Sequence, residues 1–218
     1  MRCTRQANTK DNYIISRLRI KEFGRSKDFD LLLADKLKWN RMDEEQTVVA
    51  VWCDKVPLST MRAVVVDDSL SAQNTLQCSV SDHVTYPAIV FNAAATRKEN
   101  RGEGLNQVIR YHFLAAAIHQ GIEALLSPIY FGAPRMDFMT ALGYHYIKPN
   151  KCWQTKLLPK SERILGILPR SKMRYALKYL FHHRSEAIHH YPWKGTSLKL
   201  PIKTKSKAAM AAMGKNRN

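Results

Sequence analysis

The sequence predicts an α/β (α+β) fold, in which helices flank a mixed central sheet and a basic helical extension follows. Two β-branched runs, at 47–53 and 59–66, are separated by a short polar turn, which is typical of a β-hairpin. A buried-strand run at 87–95 leads through a glycine-containing loop into helical spacing of apolar residues. The last 60 residues carry most of the excess positive charge, which indicates a separate extension.

Length and charge predict where the chain divides. A chain of 218 residues with 45% hydrophobic content can form one proper core. The net charge of +17 is uneven: residues 159–218 hold 14 Lys and Arg against 2 Asp and Glu, and residues 1–158 hold 21 against 16. We therefore predict a domain at 1–158 and a basic extension at 159–218, helical first and disordered after it.

Several classes of protein are excluded by composition. No apolar run approaches the roughly 18 residues of a membrane-spanning helix. The N-terminus, MRCTRQANTK, has no apolar signal region, so a cytoplasmic location is expected. The four cysteines are scattered without CxxC pairs, and the paired histidines at 182–183 and 189–190 lack further ligands except Glu186. We expect free thiols and no metal.

The elements before the hairpin are predicted as two helices. Tyr13 to Phe23 has apolar residues at helical spacing and ends at Gly24. Asp28 to Trp39 is a second candidate, with an aspartate as its cap. Residues 40–45 form a polar break before the first strand.

The elements after the hairpin complete the pattern. Residues 69–86 are polar and irregular, and the helix that begins at Leu105 is expected to stop at Gly121. The remaining predictions are a strand at 123–129, a short helix at 136–142, a last strand pair within 145–158 and a basic amphipathic helix at 171–180.

The glycine-containing loop is the most informative stretch. It reads RKENRGEG from Arg97 to Gly104 and lies between a strand and a helix. The first N–H groups of a helix lack backbone partners and carry partial positive charge, so a strand, glycine loop and helix can hold an anion. The loop is neither a Walker motif nor Gly-x-Gly-x-x-Gly, because position 107 is Gln. A plain helix-entry turn is the alternative.

The stretch resembles the core of the GCN5-related N-acyltransferase (GNAT) superfamily. Arg101-Gly102-Glu103-Gly104 and the later Leu142-Gly143-Tyr144 carry the match. The resemblance implies a loop and helix that hold the pyrophosphate of acyl-coenzyme A. Two departures stand out: Glu99 replaces the usual Arg or Gln, and Met139 replaces a tyrosine that protonates the leaving thiolate in many members.

The resemblance also implies which residues bind the acyl donor, acetyl-CoA or a longer acyl-CoA. The strand at 87–95 is expected to splay from the strand at 123–129, and the pantetheine amides pair with its exposed backbone edge. Transfer to an amine acceptor then proceeds by direct attack, with a backbone N–H near this edge polarising the carbonyl. The expected binding residues are Phe91, Asn92, Ala93, Arg97, Arg101, Gly102, Glu103, Gly104, Leu105 and Asn106.

A narrower resemblance concerns the branch that makes acyl-homoserine lactones and N-acyl amino acids. Members carry an acidic residue just before the first hairpin strand and a Met/Leu-Arg pair in the second. Here Asp43 to Glu45 and Met61-Arg62 take these positions. The branch would admit acyl carrier protein as the donor.

The proton-transfer groups are assigned by position. An amine must lose a proton to attack, and a carboxylate or histidine can accept it. Glu45 and His83 are the predicted bases, beside Asp43 and Glu44, and Tyr130 is the predicted acid, with Tyr86 as the alternative. For each residue the alternative is a side chain that lies on the surface or packs in the core and takes no part in proton transfer.

The basic extension suggests a polyanionic partner. Its lysines and arginines alternate with aromatic residues such as Tyr179 and Trp193. Such a segment can bind nucleic acid, an anionic membrane surface or the acidic acyl carrier protein. A docked helix with a solubilising tail is the alternative, and a non-enzymatic nucleic-acid-binding module on the same fold is the rival function.

Overall fold

The computed structural model describes residues 1–25, 29, 31–80, 84–133, 135–148 and 163–202, without the side chains of residues 31–33. Within these ranges the strands are β1 (Arg2–Gln6), β2 (Thr47–Cys53), β3 (Val56–Val66), β4 (Ala88–Thr96), β5 (Ala124–Tyr130), β6 (His145–Ile147) and β7 (Arg163–Pro169). The α-helices are α1 (Asn12–Phe23), α2 (Arg41–Glu45), α3 (Ser69–Leu76), α4 (Leu105–His119), α5 (Arg135–Ala141) and α6 (Arg170–His190).

The described strands form one mixed sheet in the order β1-β2-β3-β4-β5-β7-β6. Neighbouring strands are antiparallel except β4 and β5, which are parallel and joined through α4. The predicted hairpin is β2–β3, with its turn at Asp54, whose φ is +53°. The predicted mixed sheet flanked by helices is therefore confirmed.

Both faces of the sheet are covered, because successive residues of a strand point to opposite faces. On one face Val49, Met61, Ile89 and Leu125 pack with the apolar sides of α4 and α6. On the other face α3 packs on a cluster that includes Val64, and Ile15 of α1 packs against Val48, Ala50 and Trp52. The sheet thus separates two layers of helices.

The C-terminal part of the chain contributes to this core. Strand β7 lies between β5 and β6, whereas the sequence suggested that the last strand pair ends by residue 158. Helix α6 extends to His190, ten residues beyond the predicted Leu180. Leu198 and Leu200 are buried, and Gln120, which directly follows α4, donates to the Leu198 carbonyl and accepts the Leu200 N–H. The sequence predicts disorder after the helix, in the Lys-rich residues 194–218, but residues 194–202 are ordered here and include the buried Leu198 and Leu200. Residues from 203 onward lie outside the described ranges.

Two polar segments form helices that the sequence reading missed. Residues 40–45 were expected to be a break, yet α2 begins there with a capping box between Asn40 and Asp43. Helix α3 begins in the same way with Asp68 and Ser71, in a region expected to be irregular. Helix 28–39 was predicted too long, since its described part is a 3₁₀ helix at Leu31–Leu37 and its aspartate caps lie outside the described residues.

Candidate active site between two splayed strands

The central feature is a wedge between β4 and β5. The two strands pair only through Ala88, Ile89 and Val90, which lie opposite Ala124 to Leu126. Strand β4 has nine residues and β5 has seven, so both continue well past the last pair. The backbone edge of β4 beyond Val90 is thus turned toward an opening, as the sequence resemblance implied.

A bulge in β4 lies where the wedge opens. The β3–β4 register is interrupted between Thr60 and Arg62, and Ala93 has a φ of +49°. Residues with a Cβ rarely adopt this left-handed conformation, which concentrates at functional sites. Phe91 is buried against Phe113, and Asn92 and Ala93 are half-buried at the opening. The bulge redirects this part of β4 away from β5.

The glycine loop follows β4 and ends at the start of α4. Gly102 and Gly104 have φ values of +94° and +76°, which explains the glycines. Gly104 is the N-cap of α4, and among the described residues no side chain caps the start of this helix. The free N–H groups of its first turn, which includes Leu105 and Asn106, are therefore available to an anion.

The positively charged side chains of the loop have different partners in the fold. Arg97 Nε donates to the carbonyl of Pro57 at 2.8 Å, which holds this side chain against β3. Arg101 is exposed and its Nη2 donates to Glu22 Oε2 at 3.0 Å. Glu103 accepts a bond from Asn100, and Glu99 lies within 3.9 Å of Lys21 and Arg25. Arg101 therefore lies in the loop just before α4 in sequence, but its guanidinium is paired with Glu22 of α1.

Helix α6 adds a cation that the sequence reading missed. Arg184 has non-helical φ and ψ values of −137° and 20° inside α6. Its Cδ lies 3.0 Å from where a Cβ on Gly104 would be, and its Nε donates to Gln107. Arg184 and Gln107 are 77 positions apart, so no local pattern reveals this contact.

A buried ionic cluster anchors the opposite side of the bulge. Asp43 Oδ1 lies 2.8 Å from Arg19 Nη2 and 3.3 Å from Arg62 Nη1. Arg62 Nε donates to Asn92 Oδ1 at 2.7 Å. Burial lowers the pKa of Arg62, Asp43 opposes that shift, and Arg19 adds to it. The cluster joins α1, α2, β3 and the bulge of β4, and it contains both positions of the narrower resemblance.

The predicted proton-transfer residues do not form one group. Glu45 is exposed at the end of α2, where it pairs with Arg41 rather than facing the wedge. His83 lies outside the described residues. Tyr130 is at the far end of β5, where its hydroxyl accepts a bond from Arg163 Nη2 at 3.2 Å. These roles stay predictions. Of the candidates that the structure describes, Tyr130 lies on β5, and Asp43 is joined to the β4 bulge through Arg62 and Asn92.

Two further tyrosine positions bear on the leaving group. Tyr86 precedes the closed end of β4, roughly 16 Å along the strand from Phe91, and burial raises the pKa of its phenol. Met139 is buried in the core, 1% exposed. Tyr144 is also buried, but its hydroxyl meets Arg110 of α4 beneath the wedge.

The described residues contain no group of three or more His, Cys, Asp or Glu side chains able to hold a metal ion. In the same ranges, no helix has the length and apolarity needed to cross a membrane.

A cleft of about 540 Å³ borders the other side of the loop, between Glu103 and His190. It contains no residue of β5, so it is separate from the wedge.

Solved acyltransferase structures share this fold over most of the chain. A CoA-dependent acyl-homoserine lactone synthase, BjaI, aligns with a TM-score of 0.64 and 11% identity, over 91% of this chain and 96% of that one. FeeM, an N-acyl amino acid synthase from uncultured soil microbes, gives 0.56 and 13%, over 81% and 94%. The ribosomal-protein-S18-alanine N-acetyltransferase of Escherichia coli gives 0.53 and 12%, over 78% and 94%.

No protein-family model and no curated protein matches the sequence. The identities to the solved structures are low, so these likenesses show the fold and not the reaction. The chain has the GNAT fold, and the resemblance drawn from the glycine loop is confirmed at that level.

Proposed function

We propose that this protein is an acyltransferase that moves an acyl group from acyl-coenzyme A to an amine by direct attack. The observation that carries the proposal is the wedge, which opens after three residue pairs and leads to the uncapped start of α4. An extended pantetheine arm can pair with the backbone of β4 there, and a pyrophosphate can accept N–H bonds from the helix start.

The donor assignment has support from solved structures of the same fold. BjaI has been crystallised with SAM and isopentyl-CoA, and yncA from Salmonella typhimurium with acetyl-CoA. In this chain, Gly102 and Gly104 would let the diphosphate approach the backbone, with Arg101 and Arg184 supplying charge. Holding the donor this way positions the thioester beside the bulge, and positioning can lower a barrier by several kcal/mol.

The first experiment measures binding and turnover. Acetyl-CoA and hexanoyl-CoA are titrated calorimetrically, and thiol release is then followed with a panel of amines that includes amino acids. Saturable binding with amine-dependent thiol release supports the proposal. Absence of binding at millimolar donor, with a folded protein, contradicts it.

A second candidate is an N-acyl amino acid or acyl-homoserine-lactone type synthase that uses acyl carrier protein. The Asp43–Arg62–Asn92 chain of contacts favours it, because the positions of the narrower resemblance meet at the bulge. Turnover with acyl carrier protein and not with acyl-CoA would favour this candidate. Tight RNA binding without binding of any acyl donor would instead favour the rival function, a nucleic-acid-binding module without enzymatic activity.

The partner of the basic C-terminus is a separate proposal. Residues 203–218 hold five Lys or Arg and no Asp or Glu, so they should add a salt-dependent affinity for nucleic acid or anionic vesicles. Cutting after residue 159 would remove β7 from between β5 and β6, and cutting after Lys194 would remove the buried Leu198 and Leu200.

The informative truncation is therefore after Ile202. Filter binding to RNA and vesicle co-sedimentation across a salt series compare it with the full chain. Loss of most binding, with donor binding kept, supports a polyanion site in the tail. Equal binding by both proteins contradicts it. We also propose a cytoplasmic location.

A further inference from the structure

Arg110 of α4 is a buried cation without a carboxylate partner in the described chain. It is 7% exposed, and its bonds go to neutral oxygens: Nε to Asn106 Oδ1 at 3.1 Å, and Nη1 to Ser127 Oγ at 3.1 Å and to the Tyr144 hydroxyl at 3.4 Å. By contrast, the buried Arg19 and Arg62 share Asp43. Burying an unpaired charge is costly, so this charge invites an anionic partner.

The guanidinium lies where the wedge begins to open. The last β4–β5 pair is Val90 with Leu126, and the next residues are Phe91 and Ser127. Arg110 touches both, because its Cζ lies 5.0 Å from the centre of the Phe91 ring and its Nη1 bonds Ser127. It therefore spans the two strands at their first unpaired position, on the face covered by α4.

The groups around Arg110 keep the positive charge uncompensated. Arg135 of α5 and Tyr146 of β6 interact with it electrostatically, and Arg163 and Tyr130 lie close to Arg135. Asp137, which is exposed on α5, interacts with Tyr146. Tyr144 accepts its bond from Arg110, which leaves its own O–H free to donate.

The proposed acyl transfer creates a negative charge that needs such a group. When the amine nitrogen bonds to the thioester carbon, the carbon–sulfur bond breaks and sulfur leaves with the electron pair. The amine gives up a proton to water, the thiolate takes one up in turn, and the products are an amide and the thiol of coenzyme A. Met139 is apolar and buried, so it can supply neither charge nor proton. A fixed cation beside the sulfur would stabilise this charge in the transition state.

We propose that Arg110, with the Tyr144 hydroxyl, stabilises the thiolate that leaves during acyl transfer. This inference rests on the proposed function, since it requires the thioester to lie at the start of the wedge. In this proposal, Arg110 of α4 and Tyr144 stabilise the leaving group, in place of a tyrosine at position 139.

The test uses the free thiol of coenzyme A as the probe and needs no acceptor. If Arg110 favours the thiolate, the bound thiol has a lower pKa than the free thiol. The affinity for coenzyme A then rises as pH increases from the bound pKa toward the free pKa, tenfold for each unit of pKa lowering. Acetyl-CoA has no ionisable thiol. The pH dependence of its binding therefore measures all effects of pH other than ionisation of the thiol.

Calorimetry between about pH 6.5 and pH 8.5 should show coenzyme A gaining at least about fivefold in affinity relative to acetyl-CoA. This gain should disappear in Arg110→Met and shrink in Tyr144→Phe. Arg110→Met removes an uncompensated buried charge, so we expect its Tm to stay the same or rise. If Arg110→Met does not fold, the inference is still tested by comparing coenzyme A with acetyl-CoA in the wild type and in Tyr144→Phe.

Parallel pH dependence of coenzyme A and acetyl-CoA binding in the wild type would overturn the inference and leave the proposed function standing. So would an unchanged gain in Arg110→Met. Failure of the wild type to bind acetyl-CoA at any pH would instead reject the proposed function, and this inference with it.

Discussion

At Gly104 both the backbone conformation and a close neighbour disfavour a side chain. Its φ is +76°, and a Cβ there would lie 3.0 Å from Arg184 Cδ. Gly104→Asp also adds a negative charge beside the proposed pyrophosphate. We expect at least tenfold weaker coenzyme A binding, or about 1.4 kcal/mol, measured by calorimetry.

Gly132→Asp is the matched control, because Gly132 has a similar φ of +73° and open space around its Cβ position. It introduces the same backbone strain away from the loop. Equal losses of affinity in the two variants would remove Gly104 from the binding site.

Arg184 offers a second test at the scale of a single residue. Arg184→Gln removes a cation beside the start of α4, so coenzyme A binding should weaken by about fivefold or more. The salt dependence of binding should also become shallower. Arg174→Gln, on an exposed position of the same helix, should change neither quantity. A similar response of both variants would mean that Arg184 acts only through net charge.

The residues that sequence reasoning could predict are those with a local signal. Gly102 and Gly104 stand out because glycine before a helix has a conformational meaning. Arg110 sits in an apolar helix pattern and reads as a surface cation, since only the fold shows that Ser127 and Tyr144 surround it. The position of Glu45 just before a strand predicts a site residue, but in the fold its side chain is exposed to solvent.

At the scale of elements, the carboxylate of Asp43 joins two helices, α1 and α2, to strand β3. Asp43 is fully buried and faces two guanidiniums, while its Oδ2 accepts the Asn40 N–H at 3.1 Å. Asp43→Asn leaves the charges of Arg19 and Arg62 buried without compensation. We expect the free energy of unfolding to fall by about 3–5 kcal/mol in urea titrations.

Asp35→Asn supplies the comparison for that measurement. Asp35 pairs with Lys38 on the surface, where its side chain is 81% exposed, so its loss should cost less than about 1 kcal/mol. If Asp43→Asn costs no more than this control, the buried cluster does not anchor the β4 bulge.

Elements with strong apolar patterns were predictable, and polar ones were not. Strands β2 and β4 are rich in buried aliphatic residues, so period and composition identify them. Helices α2 and α3 are mostly polar, and their capping boxes were the signals to use. Strand β7 lies in the charge-rich extension, and its place between β5 and β6 depends on long-range pairing.

At the scale of the whole molecule, the C-terminal segment is fastened to the sheet edge and to α4. The Thr4 N–H donates to the Pro192 carbonyl and the Lys194 N–H donates to the Thr4 carbonyl, each at 2.8 Å. The ring centres of Trp193 and His112 lie 5.0 Å apart. Burial lowers the pKa of His112 from 6.5 to about 4. The folded protein therefore holds His112 neutral where the unfolded chain would protonate it.

This difference predicts a loss of stability in acid. Keeping His112 neutral costs no folding free energy above about pH 6.5. As pH falls from 6.5 toward 4, the unfolded chain binds a proton at His112 that the folded protein does not, so the free energy of unfolding decreases. At pH 5 the loss should be about 2 kcal/mol relative to pH 7. His112→Phe should flatten this part of the curve of unfolding free energy against pH. An unchanged slope in that variant would place the acid sensitivity elsewhere.

The central claim is that an acyl donor lies along the splayed edge of β4 with its diphosphate at the start of α4. Hydrogen–deuterium exchange with and without saturating acetyl-CoA tests it most directly, because the proposed contacts are backbone N–H groups. We predict slower exchange in Phe91 to Thr96 and in Arg101 to Asn106, with no change in α3. Saturable binding that protects other segments and leaves these two unchanged would contradict the account.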